Sequence, residues 1–293
     1  MEQVPPLEVP AVEMQGWKEA AISARFVRQG LNQISDPAEG SPFIEDNARY
    51  RWEKASDWTR AYLTAGLEHL ELWANIIQPL NFDPSIPVVN PPRTYHTIGR
   101  AALESAGTAA WIMLPDSSEE RTLRHLRVHF QDLRYFAEAL AAVDASRAAA
   151  VRDQMATLLD RTDGTWSRTS VRAEPRYSIM LREACPPIGI SAEEISLVYR
   201  AASAAAHGKV WYRQYGGTQI LGEEYEPGHF RSVTVPDPSQ ITRTMRAAST
   251  LVTATYLRFG ILSGAPMQAI LPEAKRQTAV LMRDIMVAPP PSA

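Results

Sequence analysis

Apolar residues recur at helical spacing through most of the chain. From Asn47 to Ile77, large apolar side chains follow one another at intervals of three, four and their sums, as on the buried face of an amphipathic helix. From Thr94 to Leu114 the chain is apolar on most sides, which is typical of a helix at the centre of a protein. These patterns predict an all-α fold, a multi-helix bundle.

Polar residues mark where several of these helices begin and end. Ser117 with Glu120, and Ser191 with Glu194, have the spacing of a capping box, in which a serine at the helix start pairs with a glutamate three residues later. Gly208 is suited to end the helix that begins near Ser191, because glycine readily adopts the left-handed conformation found just after a helix.

Some segments depart from the helical pattern. Residues 209–235 carry β-branched and aromatic side chains around glycine-containing turns, which predicts a small inserted β-hairpin. Residues 79–92 are rich in proline and residues 162–189 are mixed in pattern, so both are expected to be loops. Asp237 and Pro238 have the residue types of a helix start, and two more helices are predicted after them.

Composition divides the chain into three parts. Residues 1–46 are acidic and contain several prolines, which predicts an N-terminal arm with one helix near 16–34. Residues 47–286 are predicted to form the helical bundle. Residues 287–293 are a proline-rich tail.

Bulk properties exclude several classes of protein. The chain is 45% hydrophobic and 22% charged, as folded globular proteins are. A net charge of −3 creates no overall positive field, so any contact with RNA must be local. We see neither a secretory signal nor an apolar stretch of the roughly 18 residues that a membrane helix needs. The single cysteine, Cys185, cannot form an intramolecular disulfide. A cytoplasmic protein without a membrane partner is therefore expected.

Motifs for common cofactors are missing from the sequence. There is no G-x-G-x-x-G, Walker A loop, H-E-x-x-H or G-x-S-x-G. His125, His129 and Asp132 share one helix face, but a third type of ligand at firm spacing is absent. We interpret that face as a solvated stripe. The sequence therefore predicts no cofactor and no metal.

One polar face lies on the apolar central helix. His96, Arg100, Glu104 and Trp111 follow at steps of four, four and seven residues, which places them on one side. The simplest interpretation is an ion pair between Arg100 and Glu104. If the helix is buried, the pair needs further partners and a polar pocket becomes possible. Both interpretations stay open.

A second polar stripe lies on the helix that ends at Gly208. Arg200, Ser203 and His207 fall on one side of this helix, directly after Tyr199. Arginine binds phosphate through two hydrogen bonds, and histidine transfers protons near neutral pH. This combination suits metal-independent RNA cleavage, in which a 2′-hydroxyl attacks the adjacent phosphate.

The spacing Arg200-x6-His207 resembles the motif of the HEPN superfamily, helical bundles of which many members are metal-independent endoribonucleases. The resemblance covers about residues 94–262. It implies that Arg200 positions the phosphate and that His207 serves as acid or base. It also implies an RNA substrate, a homodimer with the site at its two-fold interface, and a toxin or phage-defence role. The candidate binding residues of the two polar faces are Ser203, Tyr199, Arg100, Glu104 and His96.

Two alternatives remain. The first is a non-enzymatic interaction or ligand-binding protein with the same bundle, in which His207 is a helix-terminal histidine favoured by the helix dipole. Ala201 supports this alternative, because many active members of the superfamily carry a polar residue directly after the arginine. The second is an enzyme whose pocket is built on the Arg100–Glu104 face and is lined by His96 and Trp111.

Overall fold

The computed structural model describes residues 9–78 and 92–287. These residues form 12 helices and one small two-stranded antiparallel sheet, which confirms an all-α bundle with an inserted hairpin. The elements in chain order are α1 (Ala11–Leu31), α2 (Pro42–Arg49), α3 (Ala55–Ile77), α4 (Pro92–Met113), α5 (Ser118–Leu140), α6 (Ala145–Thr162), α7 (Arg168–Arg172), α8 (Tyr177–Ala184), α9 (Ala192–Ala206), α10 (Tyr212–Tyr215), β1 (Gly217–Glu226), β2 (His229–Pro236), α11 (Pro238–Leu262) and α12 (Met267–Val287).

Helix α4 is the centre of the bundle, as its apolar character predicts. It packs against α3, α11, α9 and α8, and most of its residues are buried. An aromatic cluster joins α1, α3 and α4: the ring centroids of Trp17 and Trp73 are 5.5 Å apart, and those of Trp73 and Tyr95 are 5.0 Å apart. The Trp17 indole also donates to Thr242 of α11 at 2.8 Å. Thus the helix that the sequence assigns to an N-terminal arm packs into the core.

The segment from Asn47 to Ile77 is two helices rather than the single helix that its periodicity predicts. α2 ends at Arg49 and α3 begins at Ala55. The side chain of Asn47 accepts a hydrogen bond from the backbone N–H of Ser56 at 3.2 Å and donates one to the Ser56 hydroxyl at 3.0 Å. These bonds give the backbone N–H of Ser56, at the start of α3, a partner outside the helix, and they hold the turn between the two helices.

The predicted caps are confirmed. The hydroxyls of Ser117 and Ser191 accept from the backbone N–H of Glu120 and Glu194 at 3.4 and 3.1 Å. Gly208 has φ +66° and follows the last turn of α9, as predicted.

The segment 162–189 is more ordered than its mixed pattern predicts. It contains α7, α8 and a 3-10 turn, Pro186–Ile188. Met180 and Leu181 of α8 are buried. Short helices of this kind carry too few turns for their apolar period to stand out. The predicted loop at 79–92 lies outside the described residues except for Pro92, which begins α4.

The predicted hairpin is present but shorter than the range 209–235: its strands run from Gly217 to Pro236, and the start of the predicted range forms α10. Its turn is at Pro227 and Gly228, where Gly228 has φ +75°. Both of its faces are largely exposed. No helix within 9–78 or 92–287 combines the length and the apolar character that crossing a membrane requires.

Candidate functional site

The packing of α9 against α4 brings the two polar faces of the sequence together. His207 is the C-cap residue of α9 and is exposed. Its position is set by the end of the helix: the N–H of Lys209 donates to Ala204 O at 2.9 Å, and the N–H of Gly208 donates to Ala205 O at 3.2 Å. This is the Schellman arrangement, which requires a left-handed residue at Gly208.

A hydrogen-bonded network joins His207 to the central helix. Nη1 of Arg100 lies 2.8 Å from Nε2 of His207. Nε of the same guanidinium donates to Oε1 of Glu104 at 2.8 Å. The hydroxyl of Tyr199, on α9, donates to that same oxygen at 2.9 Å. Arg100 is therefore held between a carboxylate and an imidazole, in a fixed orientation.

The chemistry of this contact determines the state of the imidazole. A guanidinium has only donors, so Nε2 of His207 accepts the hydrogen bond and carries no proton. In the neutral ring the proton is then on Nδ1. The lone pair of Nε2 is thus held by Arg100 and becomes available to accept a proton only when that hydrogen bond is released.

Burial sets the state of the tyrosine in the network. The pKa of Tyr199 is raised to about 12, first by burial and then by the neighbouring Glu104 carboxylate. The phenol therefore stays protonated near neutral pH and remains a donor to Glu104. The side chains of Arg100 and Glu104 are 22% and 18% exposed, so the ion pair lies at the edge of the bundle and is open to a ligand.

The structure records no contact between the two residues of the R-x6-H motif. Arg200 is exposed on α9, and among the hydrogen bonds and ion pairs of the described residues none involves its side chain. The guanidinium beside His207 is that of Arg100. Ser203 is half-buried on the same helix.

His96 and Trp111 lie apart from this network, in different surroundings. His96 is buried beside α11, where Nδ1 lies 3.0 Å from the Thr244 hydroxyl, and burial lowers its pKa to about 4. Trp111 donates to Glu183 on α8 at 2.9 Å. The two side chains therefore do not line one pocket on the Arg100–Glu104 face.

The histidines of α5 are buried, so interpreting them as a solvated stripe is wrong. His125 is 0% exposed and His129 is 7% exposed, and both rings pack against Trp58, with centroids 5.7 and 4.5 Å away. Burial lowers the pKa of His125 to about 3. In the described part of the chain, no three His, Cys, Asp or Glu side chains are placed to hold a metal ion.

Three residues near His207 are not singled out by the motifs. Arg93 donates through Nη1 to the Ala205 carbonyl at 3.2 Å, and Tyr212 and Arg213 lie on α10, just beyond the end of α9. The signal that could have found the last two is the alternation of basic and aromatic residues directly after Gly208, in Lys-Val-Trp-Tyr-Arg.

The sequence and the structure of this chain were compared with known proteins. The chain matches no protein-family model, no curated protein and no solved structure.

Proposed function

We propose that the protein is a metal-independent endoribonuclease in which His207 and Arg100 act on the scissile phosphate. The observation that carries the proposal is the exposed His207 imidazole, whose Nε2 lies 2.8 Å from Nη1 of an arginine that Glu104 holds in place. Histidine is the side chain best suited to proton transfer near neutral pH, and arginine stabilises charge on phosphate.

The reaction follows from these positions. The 2′-hydroxyl of the RNA attacks the adjacent phosphorus, and its proton moves to Nε2 of His207. The bond from phosphorus to the 5′-oxygen breaks, which leaves a 2′,3′-cyclic phosphate and a 5′-hydroxyl. Before this step, Nη1 of Arg100 releases its hydrogen bond to His207 and donates to a phosphate oxygen instead, while Nε keeps its hydrogen bond to Glu104. The exchange frees the base and stabilises the charge that develops on phosphorus.

A homodimer supplies the remaining groups in this proposal. The 5′-oxygen needs a proton, and a second copy of His207 across a two-fold axis donates it from its imidazolium form, in which Nε2 carries a proton and no longer accepts from Arg100. The first His207, which has gained the 2′-proton, then returns that proton to solvent, and the second is reprotonated from solvent. Arg200 is exposed and makes no ion pair within the described residues, so it is available to hold a phosphate at such an interface. The resemblance to the HEPN superfamily supports this arrangement and a role as a toxin or phage-defence effector.

The test is RNA cleavage by the purified protein with EDTA present. The His207→Ala variant is expected to lose about 10²- to 10⁴-fold in rate, as is typical for removal of an acid–base group. The control is His229→Ala, because His229 is an exposed histidine of the hairpin and lies outside the network. The products should carry 2′,3′-cyclic phosphate, and the same oligonucleotide with 2′-deoxyribose should remain intact.

Three results would overturn the proposal. These are unchanged cleavage by His207→Ala, cleavage that requires a divalent metal, and equal cleavage of DNA. The dimer is tested separately by sedimentation or light scattering. An active monomer would leave the cleavage proposal standing and refute the shared site.

The second candidate is a non-enzymatic interaction protein, and the exposed hairpin favours it. Its apolar side chains are exposed on both faces, at 63% for Leu221, 58% for Tyr225 and 44% for Phe230. Exposed apolar surface of this kind is typical of an interaction site. This candidate would be supported if the protein cleaves no RNA but binds a partner, and if replacing these side chains abolishes the binding.

A further inference from the structure

A cavity of about 340 Å³ lies between the start of α4, α10 and the base of the hairpin. Its lining includes the side chains of Arg93, Tyr212 and Arg213, together with Gly216 and Thr234. No carboxylate lies within ion-pair distance of either arginine in the part of the chain that the structure describes. The described lining therefore has two guanidinium groups and no carboxylate, while Asp237, next to the lining residue Pro236, is near enough to contribute to the raised pKa of Tyr212. Two guanidinium groups suit an anionic ligand.

Tyr212 gives the cavity a buried aromatic wall. Its side chain is 5% exposed, and its hydroxyl has no hydrogen-bond partner among the described residues. Burial raises the pKa of Tyr212 to about 12, so the hydroxyl keeps its proton near neutral pH. The hydroxyl is covered by the protein, so Tyr212 contributes an apolar wall rather than a hydrogen-bond donor.

Gly216 packs directly against the hydroxyl end of Tyr212. A Cβ atom on this glycine would overlap the Tyr212 ring carbon Cζ and approach the hydroxyl oxygen to 2.6 Å. The position therefore tolerates no side chain without moving the ring. The guanidinium of Arg93 lies over the Tyr212 ring, with its Cζ 5.5 Å from the ring centroid, so the cation and the aromatic wall form one surface.

Arg93 connects the cavity to His207. Its Nη1 donates to Ala205 O at 3.2 Å and lies 3.8 Å from the position that a Cβ of Gly208 would occupy. Ala205 lies two residues before His207, and Gly208 directly follows it. Arg93 also covers a carbonyl in the last turn of α9, where the helix dipole is negative. This contact reduces the repulsion that a phosphate would meet at that helix end.

We propose that the cavity binds one nucleotide of the RNA, next to the phosphate that is cleaved at His207. The proposal rests on the proposed function and extends it to a nucleotide subsite. The phosphate of this nucleotide binds Arg93 and Arg213. The base or ribose lies against the wall formed by Gly216 and Thr234. Trp211, which is 44% exposed on the neighbouring surface, offers a stacking face to the base that follows.

The experiment measures binding of the four nucleoside 3′-monophosphates by calorimetry, with inorganic phosphate and adenosine as separate probes. We expect at least one nucleotide to bind, and Arg213→Ala to weaken it about 10-fold or more, as loss of a charged hydrogen bond predicts. Arg231→Ala is the matched control, because Arg231 is exposed on β2 and does not line the cavity.

A second readout separates this subsite from the catalytic role. Arg213→Ala should raise KM for RNA cleavage and leave kcat unchanged, whereas His207→Ala should abolish cleavage and leave mononucleotide binding unchanged. Absence of nucleotide binding, equal binding by Arg213→Ala, or phosphate binding as tight as nucleotide binding would overturn the subsite. Binding that depends on Arg213 without any RNA cleavage would support the subsite and refute the nuclease.

Discussion

The buried ion pair between Asp46 and Arg121 contributes to the free energy of unfolding, and its removal should lower that free energy. Nε and Nη2 of Arg121 donate to the two carboxylate oxygens of Asp46, each at 2.8 Å. The side chains are 4% and 1% exposed. Nη1 of the same guanidinium donates to the carbonyls of Pro115 and Asp116 at 3.1 and 2.6 Å. The pair thus joins α2, α5 and the loop after α4.

Replacing Asp46 by alanine leaves a buried guanidinium without its carboxylate. Removal of one partner of a buried pair costs about 3 to 5 kcal/mol. Because Arg121 keeps its two carbonyl partners, we expect a loss near the lower end, about 3 kcal/mol. The double variant Asp46→Leu with Arg121→Met should recover most of this loss, since no unpaired charge remains in the core.

The assay is urea denaturation at pH 7, with the free energy of unfolding extrapolated to water. Glu45→Ala is the matched control on the same helix, because Glu45 pairs with Arg49 at the surface, where the two side chains are 58% and 39% exposed. That variant should change stability by less than about 1 kcal/mol. A loss below about 1 kcal/mol for Asp46→Ala would refute the reasoning, as would a double variant less stable than the single one.

Three further predictions concern pH, the site and the helix that carries it. The pKa of His125 is lowered to about 3 by burial, so the unfolded chain binds a proton that the folded chain does not, and stability is lost as pH falls below about 6.5. Between pH 7 and 5 the free energy of unfolding should fall by about 2 kcal/mol from this residue, and His125→Gln should remove that part of the dependence. Arg100→Lys should lower kcat for RNA cleavage about 10-fold without unfolding the protein, because lysine cannot contact Glu104 and the phosphate together. Ser191→Ala should cost about 1 kcal/mol of stability, measured by thermal or urea unfolding, because it removes the N-cap of α9.

Each of these three has an outcome that contradicts it. A pH dependence of stability that is the same in the wild type and in His125→Gln would show that another group titrates. Full activity of Arg100→Lys would show that cleavage does not need a guanidinium that contacts Glu104 and the phosphate together. A Ser191→Ala variant as stable as the wild type would show that the hydroxyl contributes nothing at this helix start.

Local features of the fold could be predicted because they depend on neighbours in the chain. The serine caps at Ser117 and Ser191 and the glycine after α9 require only a side chain and a backbone group a few residues apart. The hairpin was predictable for the same reason. The break between α2 and α3 was not, because the apolar period continues through it and the Asn47 side chain that holds the turn bonds to Ser56, nine residues away.

Burial of polar residues depends on long-range packing and was predicted poorly. His125 and His129 share a face with charged neighbours in sequence, which indicates solvent exposure. In the structure that face packs against Trp58 of α3. The sequence of α5 alone does not predict this contact, because the helix that packs against it is far away in the chain.

The candidate site shows the same division. The sequence by itself determined that α9 carries a polar stripe ending in His207, and that Arg100 and Glu104 lie one turn apart on the central helix, because both follow from the helical repeat. Only the packing of α9 against α4 decided that the arginine beside His207 is Arg100, 107 residues distant in the chain. The helical repeat fixes which residues share a face, whereas the tertiary structure decides which faces meet.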